Sequence, residues 1–160
     1  MYLDALEFLE EERDGWRPYE ALARLTDEQL TTPVEEAHGW SGRDLIVHML
    51  GWLEIALQIA RELAVGERSA AMAAKDAEWD ERGGEAVNAD IIERSSSLSL
   101  AELRDRLLTV PGELRGYLTV VPETRWIKHP THMASFTGET VEHYADHLAD
   151  LEAILAAARR

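Results

Sequence analysis

Two histidines near the C-terminus, His143 and His147, lie four residues apart within a stretch of helical periodicity. On an α-helix this spacing places both imidazole rings on one face, one turn apart. Neutral ring nitrogens are good ligands for Zn²⁺ and Ni²⁺, so two rings in this arrangement can bind the same cation. The pair is therefore the first candidate for a metal site, with a purely structural histidine pair as the alternative.

A third histidine, His48, lies seven residues past the predicted helix start at Ser41, inside a stripe of apolar residues. In an up-down-up-down bundle the second and fourth long helices run parallel and start at the same end. With the last helix starting at Thr137, His48, His143 and His147 lie about 10, 9 and 15 Å from that end. The matching depths predict a three-histidine metal site with open positions. Taken singly, a histidine on an apolar face is usually a hydrogen-bonded core residue.

Five further residues are candidates for the surroundings of this site. Asp150 lies one turn beyond the histidine pair, where a carboxylate can accept a hydrogen bond from a ligating ring or bind the cation itself. Trp52 and Tyr144 are candidates for lining an apolar pocket beside the histidines. His129 and His132 fall in a predicted loop, where a surface position is the ordinary expectation and a position at the mouth of the pocket is the alternative.

The charge of the chain argues against two classes of partner. Its 160 residues include 31 acidic and 16 basic side chains, which gives a formal net charge of −15. Binding to nucleic acid or to an anionic membrane surface depends on Lys and Arg, so neither is an expected partner. Most of the acidic side chains are expected on outer helix faces, as at Glu10, Glu11 and Glu12. The length predicts one domain, residues 1–160.

The absence of cysteine from the sequence limits the chemistry. It excludes a disulfide framework, a thiolate metal site and a cysteine nucleophile. Transition-metal chemistry in this chain must therefore use histidine and carboxylate ligands. The sequence also contains no glycine-rich phosphate loop, GxSxG turn or HExxH helix, so it does not support the mechanisms that those motifs serve.

The N-terminal stretch predicts the location of the protein. MYLDALEFLEEERD carries acidic side chains where a secretory signal would carry Lys or Arg. No uninterrupted apolar run approaches the roughly 18 residues of a membrane-spanning helix. The sequence therefore predicts a cytoplasmic protein.

Apolar residues at spacings of three and four predict four long helices. The first covers residues 3–25 with a break at Gly15 and Pro18, the second begins at Ser41 or Gly42 and ends at Val65, the third begins after Ser99, and the last begins at Thr137 or Gly138 and ends near Ala158. Residues 67–88 are predicted to form a loop and residues 89–94 a short helix. The predicted fold class is all-α, an up-down-up-down four-helix bundle with a short extra helix between long helices two and three.

Three stretches of the sequence carry a family resemblance. The run LTDEQLTTPVEEAHGWSGRDLIVHMLGWLE resembles the entry to the second helix in the DinB/YfiT-like superfamily, which includes the N-terminal domain of mycothiol-dependent maleylpyruvate isomerase. The run ETVEHYADHLADLEAIL resembles the last helix of that superfamily, and EAVNADIIERSSSLSLAELRDRL is similar to the short helix, break and long helix of its isomerase-like members. The chain is also similar to the smaller ClbS/DfsB-type bundles.

The resemblance implies a four-helix bundle in which His48, His143 and His147 bind a divalent cation. All three positions are filled in this sequence. Characterised activities in the superfamily include thiol-dependent isomerisation and sulfur transfer with low-molecular-weight thiols, and related bundles act as hydrolases or resistance proteins. Members of the superfamily are often dimers, so the expected partners are a small-molecule substrate and a second copy of the chain.

Three functional hypotheses follow, the third being a dimeric scaffold that binds no ligand. In the first, the protein is a metal-dependent enzyme, a thiol-dependent transferase or isomerase or a hydrolase, with Zn²⁺ or Ni²⁺ bound by the three histidines and a low-molecular-weight thiol as co-substrate. In the second, it is a non-catalytic bundle that binds or sequesters a small molecule, and the histidine cluster is structural or vestigial.

Overall fold

The computed structural model describes residues 2–160, which contain α-helices and 3₁₀ turns and no β-strand. The all-α prediction is confirmed. The α-helices are α1 (Ala5–Trp16), α2 (Asp27–Thr31), α3 (Gly42–Val65), α4 (Ala70–Arg94), α5 (Leu100–Val120), α6 (Pro130–Glu139), α7 (Val141–Asp146) and α8 (Leu148–Ala157), and the 3₁₀ turns are Arg17–Arg24, Glu35–Ala37 and Glu123–Arg125. None of these helices is both long enough and apolar enough to cross a membrane.

Two of the long helices begin at the residues that the sequence predicts, because each start is a capping box. The Ser41 hydroxyl accepts a hydrogen bond from the Asp44 amide at 3.2 Å, and the Asp44 carboxylate accepts one from the Ser41 amide at 2.8 Å. Ser99 and Glu102 form the same reciprocal pair at the start of α5. These bonds satisfy backbone donors that have no partner within the helix, so they fix the register of α3 and α5.

The predicted break in the first helix is present. α1 ends at Trp16, and the chain continues as the 3₁₀ turn Arg17–Arg24 with Pro18 in its first turn. Proline has no amide hydrogen and its ring crowds the preceding turn, so the α-helical hydrogen-bond pattern cannot continue through it.

The predicted loop over residues 67–88 was wrong, whereas residues 89–94 are helical as predicted. α4 covers most of this region as two helical stretches that meet at a kink at Gly83 (φ 79°, ψ 163°). Only Val87 and Ile91 of α4 are buried. Because α4 presents so few apolar side chains to the core, it lacks the periodicity by which the other helices were recognised.

The start of the last helix was also predicted wrongly. Helical structure begins at Pro130, in the first-turn position that suits proline, and not at Thr137. The helix is then interrupted at Thr140 (φ −124°, ψ −100°) and at His147 (φ −100°, ψ 6°), which separates α6, α7 and α8. The His143 and His147 pair therefore lies in a short segment between two breaks.

The central helix of the fold is α3, which packs against α4, α5, α6 and α8. Its buried residues lie on most of its circumference, which is typical of a helix in the middle of a helical protein. α4 approaches α3 closely at Gly51, where an added Cβ would lie 2.0 Å from the Cγ2 of Ile91. The glycine thus permits the contact that brings α4 alongside α3.

The sequence predicted that Glu12 lies on a solvated helix face, and this prediction was wrong. The Glu12 side chain is fully buried. Its carboxylate accepts a hydrogen bond from Arg115 Nη1 at 2.7 Å and another from the Tyr144 hydroxyl at 2.8 Å. Burial raises the pKa of Glu12, although both partners act to lower it. The network joins α1, α5 and α7 through the core.

Candidate metal centre

The three predicted histidine ligands meet at one point, although His48 is 95 residues from His143 in the chain. His48 lies in the second turn of α3, His143 lies in α7, and His147 lies at the junction of α7 and α8. His48 Nε2 is 2.8 Å from His143 Nε2 and 3.1 Å from His147 Nε2. A ligand atom from each ring lies within 4.8 Å of the other two, which is close enough for one cation to contact all three.

Asp150 orients one of the three rings. Its Oδ2 lies 2.9 Å from His147 Nδ1. A carboxylate only accepts hydrogen bonds, so the Nδ1 atom carries the proton and the Nε2 atom of neutral His147 presents a lone pair to the cluster. A carboxylate behind a ligating imidazole is the usual support of a metal-bound histidine, because it fixes both the tautomer and the ring orientation.

The cluster fits a cation better than it fits a set of hydrogen bonds. His48 Nε2 can donate at most one proton, and it faces two other ring nitrogens. At least one lone pair therefore has no hydrogen-bond donor. The buried Nδ1 atoms of His48 and His143 also have no hydrogen-bond partner among residues 2–160. A divalent cation accepts all three Nε2 lone pairs at once, and neutral imidazole suits Zn²⁺ and Ni²⁺.

The pKa values of two of the histidines keep their rings neutral at physiological pH. Burial, followed by the neighbouring histidines, lowers the pKa of His48 to about 3. Burial and the proximity of His147 lower the pKa of His143 to about 4. Only a neutral imidazole has a lone pair free for a metal, so protons compete weakly for these ring nitrogens at pH 7.

Trp40 covers one side of the cluster. Its ring stacks on His147 with centroids 5.6 Å apart and planes inclined by 17°, and it lies edge-on to His48 at 5.0 Å. Trp40 directly precedes the cap of α3 and is fixed by a backbone hydrogen bond from Val34 to its carbonyl. The indole restricts the orientation of both rings and shields them from water.

A cavity of about 800 Å³ opens beside the histidines, a size that accommodates a small organic molecule. Residues from α3, α4, α6 and α7 line it together with Trp40. The lining residues are Trp40, His48, Trp52, Lys75, Asp76, Trp79, Asp80, Asn88, Ala134, Ser135, Gly138, Glu139, His143, Asp146 and His147.

A second polar cluster lines the same cavity. Lys75 Nζ donates to Glu139 Oε1 at 2.6 Å and to Ser135 Oγ at 2.9 Å, and the Ser135 hydroxyl donates to the same carboxylate oxygen at 2.9 Å. Glu139 is buried, and burial raises its pKa more than Lys75 lowers it. The cavity thus contains the three imidazoles and this polar group.

The remaining predicted site residues are divided between the cavity and the rest of the fold. Trp52 lines the cavity, and its indole N–H donates to Asn88 Oδ1 at 2.9 Å. Tyr144 was predicted to line the pocket, but it lies in the core. Its hydroxyl donates a hydrogen bond to Glu12 there and does not face the cavity. His129 and His132 also lie outside the cavity lining.

His129 and His132 stabilise the start of α6. Their rings stack with centroids 3.8 Å apart, and His129 Nδ1 accepts a hydrogen bond from the His132 amide at the start of the helix. His132 Nδ1 donates to the Arg125 carbonyl at 2.6 Å. Both side chains are thereby engaged in local structure and neither lies at the mouth of the pocket, and His132 is buried rather than at the surface position expected from the sequence.

Sequence reasoning missed most of the cavity wall that α4 provides. Lys75, Asp76, Trp79 and Asp80 occur at spacings of one, three and four, which is one face of a helix. That signal was present in the sequence, but the region was predicted to be a loop. Glu139 was also missed, although it lies inside the predicted last helix, one turn before His143.

The chain matches the model of a known protein family. The model of the family described as the mycothiol maleylpyruvate isomerase N-terminal domain matches residues 11–152, which is most of the sequence and includes all three clustered histidines. No curated protein and no solved structure matches the chain.

Proposed function

The chain belongs to the family of the mycothiol maleylpyruvate isomerase N-terminal domain, and from this membership we propose that it is a divalent-metal-dependent enzyme acting on a small molecule. His48, His143 and His147 would hold the cation, with zinc or nickel as the favoured metals. The proposed reaction is a thiol-dependent transfer or isomerisation, or a hydrolysis. This family membership agrees with the resemblance of the sequence to the DinB/YfiT-like superfamily, which includes that domain.

The observation that carries the proposal is the convergence of three histidine ring nitrogens beside an open cavity. Three protein ligands leave coordination positions for water or substrate, which is the arrangement of catalytic rather than structural zinc sites. Asp150 supports the proposal, because it holds His147 in the tautomer that a ligand requires.

The bound cation would supply Lewis acidity, which lowers the pKa of a water molecule or thiol that ligates it. The protein residues have other tasks. Trp40 shields the rings from water, and the cavity encloses the substrate beside them. The buried carboxylate of Glu139 is available to accept a proton inside the cavity. Since the sequence contains no cysteine, any thiol in the reaction must enter as a co-substrate.

Three further features are part of this proposal. Four long elements, α1 with its 3₁₀ extension, α3, α5 and α6–α8, would form an up-down-up-down bundle, with α4 alongside α3. Residues 1–160 would form a single domain. The protein would be a cytoplasmic homodimer, and light scattering of the purified chain measures its assembly.

Elemental analysis tests the proposed metal site. Protein produced without a histidine tag is expected to contain about one equivalent of zinc or nickel per chain. His143→Ala is expected to lose the metal, whereas the control Glu10→Gln retains it, because Glu10 is exposed on α1 and lies outside the cluster. If wild-type protein is metal-free and gains no stability from added Zn²⁺ or Ni²⁺, the proposal is wrong.

A second candidate function is binding of a small molecule without catalysis. The observation that favours it is the cavity itself, where three tryptophans supply apolar surface independent of any metal. Saturable ligand binding that survives removal of metal by a chelator, with no turnover of thiol or ester probes, would support this function over the enzyme.

A further inference from the structure

The cavity lining carries an excess of negative charge. It includes four carboxylates, Asp76, Asp80, Glu139 and Asp146, and a single lysine, Lys75. Lys75 Nζ contacts Glu139, Ser135 and also Asp76 Oδ1 at 3.2 Å, so its three N–H groups all have acceptors. Among the described residues that line the cavity, none offers a free cationic side chain to an anionic ligand.

One wall of the cavity is aromatic. Trp79 meets Trp52 edge-to-face with ring centroids 5.8 Å apart, and Trp79 remains 48% exposed. The backbone at Gly83 and Gly84 makes room for it, since a Cβ at Gly84 would lie 2.7 Å from the Trp79 ring. A large indole exposed at a cavity offers its face to a ligand, and indole faces attract cations as well as apolar groups.

Glu139 gives an independent indication of a missing hydrogen-bond donor. The side chain lines the cavity and is 95% buried, with a relative exposure of 5%. Its Oε1 atom accepts from Lys75 and Ser135, whereas its buried Oε2 atom has no hydrogen-bond partner within residues 2–160. An unpaired buried carboxylate oxygen is costly, and a ligand that carries N–H donors would satisfy it.

From the carboxylates, the indole wall and the unpaired Glu139 oxygen, we propose that the cavity binds an organic amine with an apolar body. The ammonium group would be held by the carboxylates and the Trp79 face, and the apolar body would lie on Trp52 and Trp79. The part of the ligand that reacts would lie beside the three histidines. That this amine is a substrate rests on the function proposed above, but its binding does not depend on turnover.

A matched set of probes separates charge from shape. Phenethylamine, 2-phenylethanol and 3-phenylpropionate share a phenyl ring and a short chain and differ in carrying a positive charge, no charge and a negative charge. Calorimetry would measure their binding to the full chain, both as purified and after treatment with a chelator. We expect phenethylamine to bind about tenfold more tightly than the alcohol, with the carboxylate weakest in the chelator-treated protein.

Two triple variants then test where the preference arises. Asp76→Asn/Asp80→Asn/Asp146→Asn removes the three exposed carboxylates of the cavity and is expected to abolish the preference for the amine over the alcohol. The control Glu10→Gln/Asp105→Asn/Glu152→Gln removes the same number of charges from exposed positions outside the cavity and should keep the preference. Trp79→Ala should weaken the binding of both the amine and the alcohol.

Several outcomes would overturn the proposal. Two of them concern the wild-type protein: the three probes bind with equal affinity, or the carboxylate binds to chelator-treated protein more tightly than the amine does. A third is that the cavity variant still prefers the amine over the alcohol. The fourth is that no probe binds at concentrations up to about 10 mM. Each outcome is read from the chelator-treated protein, so none depends on bound metal. A failure of the amine proposal is therefore distinguishable from a failure of the metal proposal, which elemental analysis decides.

Discussion

His147 donates a hydrogen bond from Nδ1 to the Asp150 carboxylate at 2.9 Å, and this contact directs the Nε2 lone pair of His147 towards His48. The two residues are three positions apart at the junction of α7 and α8, so the chain fixes their proximity locally. Asp150 is itself 8% exposed, which protects the hydrogen bond from competition by water. The orientation of a predicted ligand thus depends on a neighbour that need not touch the metal.

Replacement of Asp150 is expected to weaken metal binding. In Asp150→Asn the side chain keeps its shape but loses the charge that holds the His147 proton, and we expect the affinity for Zn²⁺ to fall by about 10- to 100-fold. Competition with a chromophoric chelator measures this affinity. Asp146→Asn is the matched control, because Asp146 lines the cavity without a hydrogen bond to a cluster ring. Equal losses in both variants would contradict the specific role of Asp150.

The buried network around Glu12 is expected to contribute strongly to stability. In Glu12→Gln, the amide oxygen can still accept from Arg115 and the NH₂ group can donate to the Tyr144 hydroxyl, but the charge of Arg115 is no longer compensated. Breaking a buried ion pair in this way typically costs about 3–5 kcal/mol, and we expect a loss of this order in the free energy of unfolding in urea. Glu10→Gln, at an exposed position of the same helix, should change it by less than about 0.5 kcal/mol.

The close approach of α3 and α4 makes Gly51 sensitive to the smallest side chain. An alanine Cβ would overlap Ile91, so Gly51→Ala is expected to destabilise the protein by about 1–3 kcal/mol in thermal or urea unfolding. The control is Gly116→Ala in α5, where a Cβ meets no atom within 4 Å and the alanine should stabilise by about 0.5–1 kcal/mol. Non-additive energies in Gly51→Ala/Ile91→Ala would locate the overlap at this pair.

Stability of the metal-free protein is expected to fall as the pH is lowered below neutrality. The pKa of His48 is about 3 and that of His143 about 4 in the folded protein, against about 6.5 for an unfolded histidine. Between pH 6.5 and pH 4 the unfolded state therefore binds more protons, and the free energy of unfolding decreases with decreasing pH. Each histidine contributes about 2 kcal/mol to this decrease, so we expect a loss of about 4 kcal/mol between pH 7 and pH 5.

Urea unfolding at several pH values, in the presence of a chelator, measures this dependence. His48→Phe should reduce it, because the variant replaces a buried titrating ring with an apolar one. Gly116→Ala, which adds no titratable group at a position with no atom within 4 Å of the added Cβ, should leave it unchanged. A dependence that is equally steep in His48→Phe would show that other groups are responsible.

The sequence predicted the elements that local chemistry determines. The capping boxes at Ser41 and Ser99 placed the starts of α3 and α5, because a cap requires only residues three positions apart. The sequence also singled out the three histidines, but it did so with an inaccurate depth argument. That argument counted from Thr137, whereas α6 begins at Pro130 and the helix is broken at Thr140 and at His147. Their convergence is therefore a result of the tertiary structure.

The sequence by itself determined the all-α class, the absence of thiol ligands and the set of histidines available for a metal, because these depend on composition and short-range periodicity. Only the tertiary structure decided that Tyr144 faces Glu12 rather than the cavity, and that α4 supplies Trp79 and Lys75 to the cavity wall. The physical reason is that α4 packs through few apolar residues, so the pattern that reveals buried helices is weak where a helix faces a cavity.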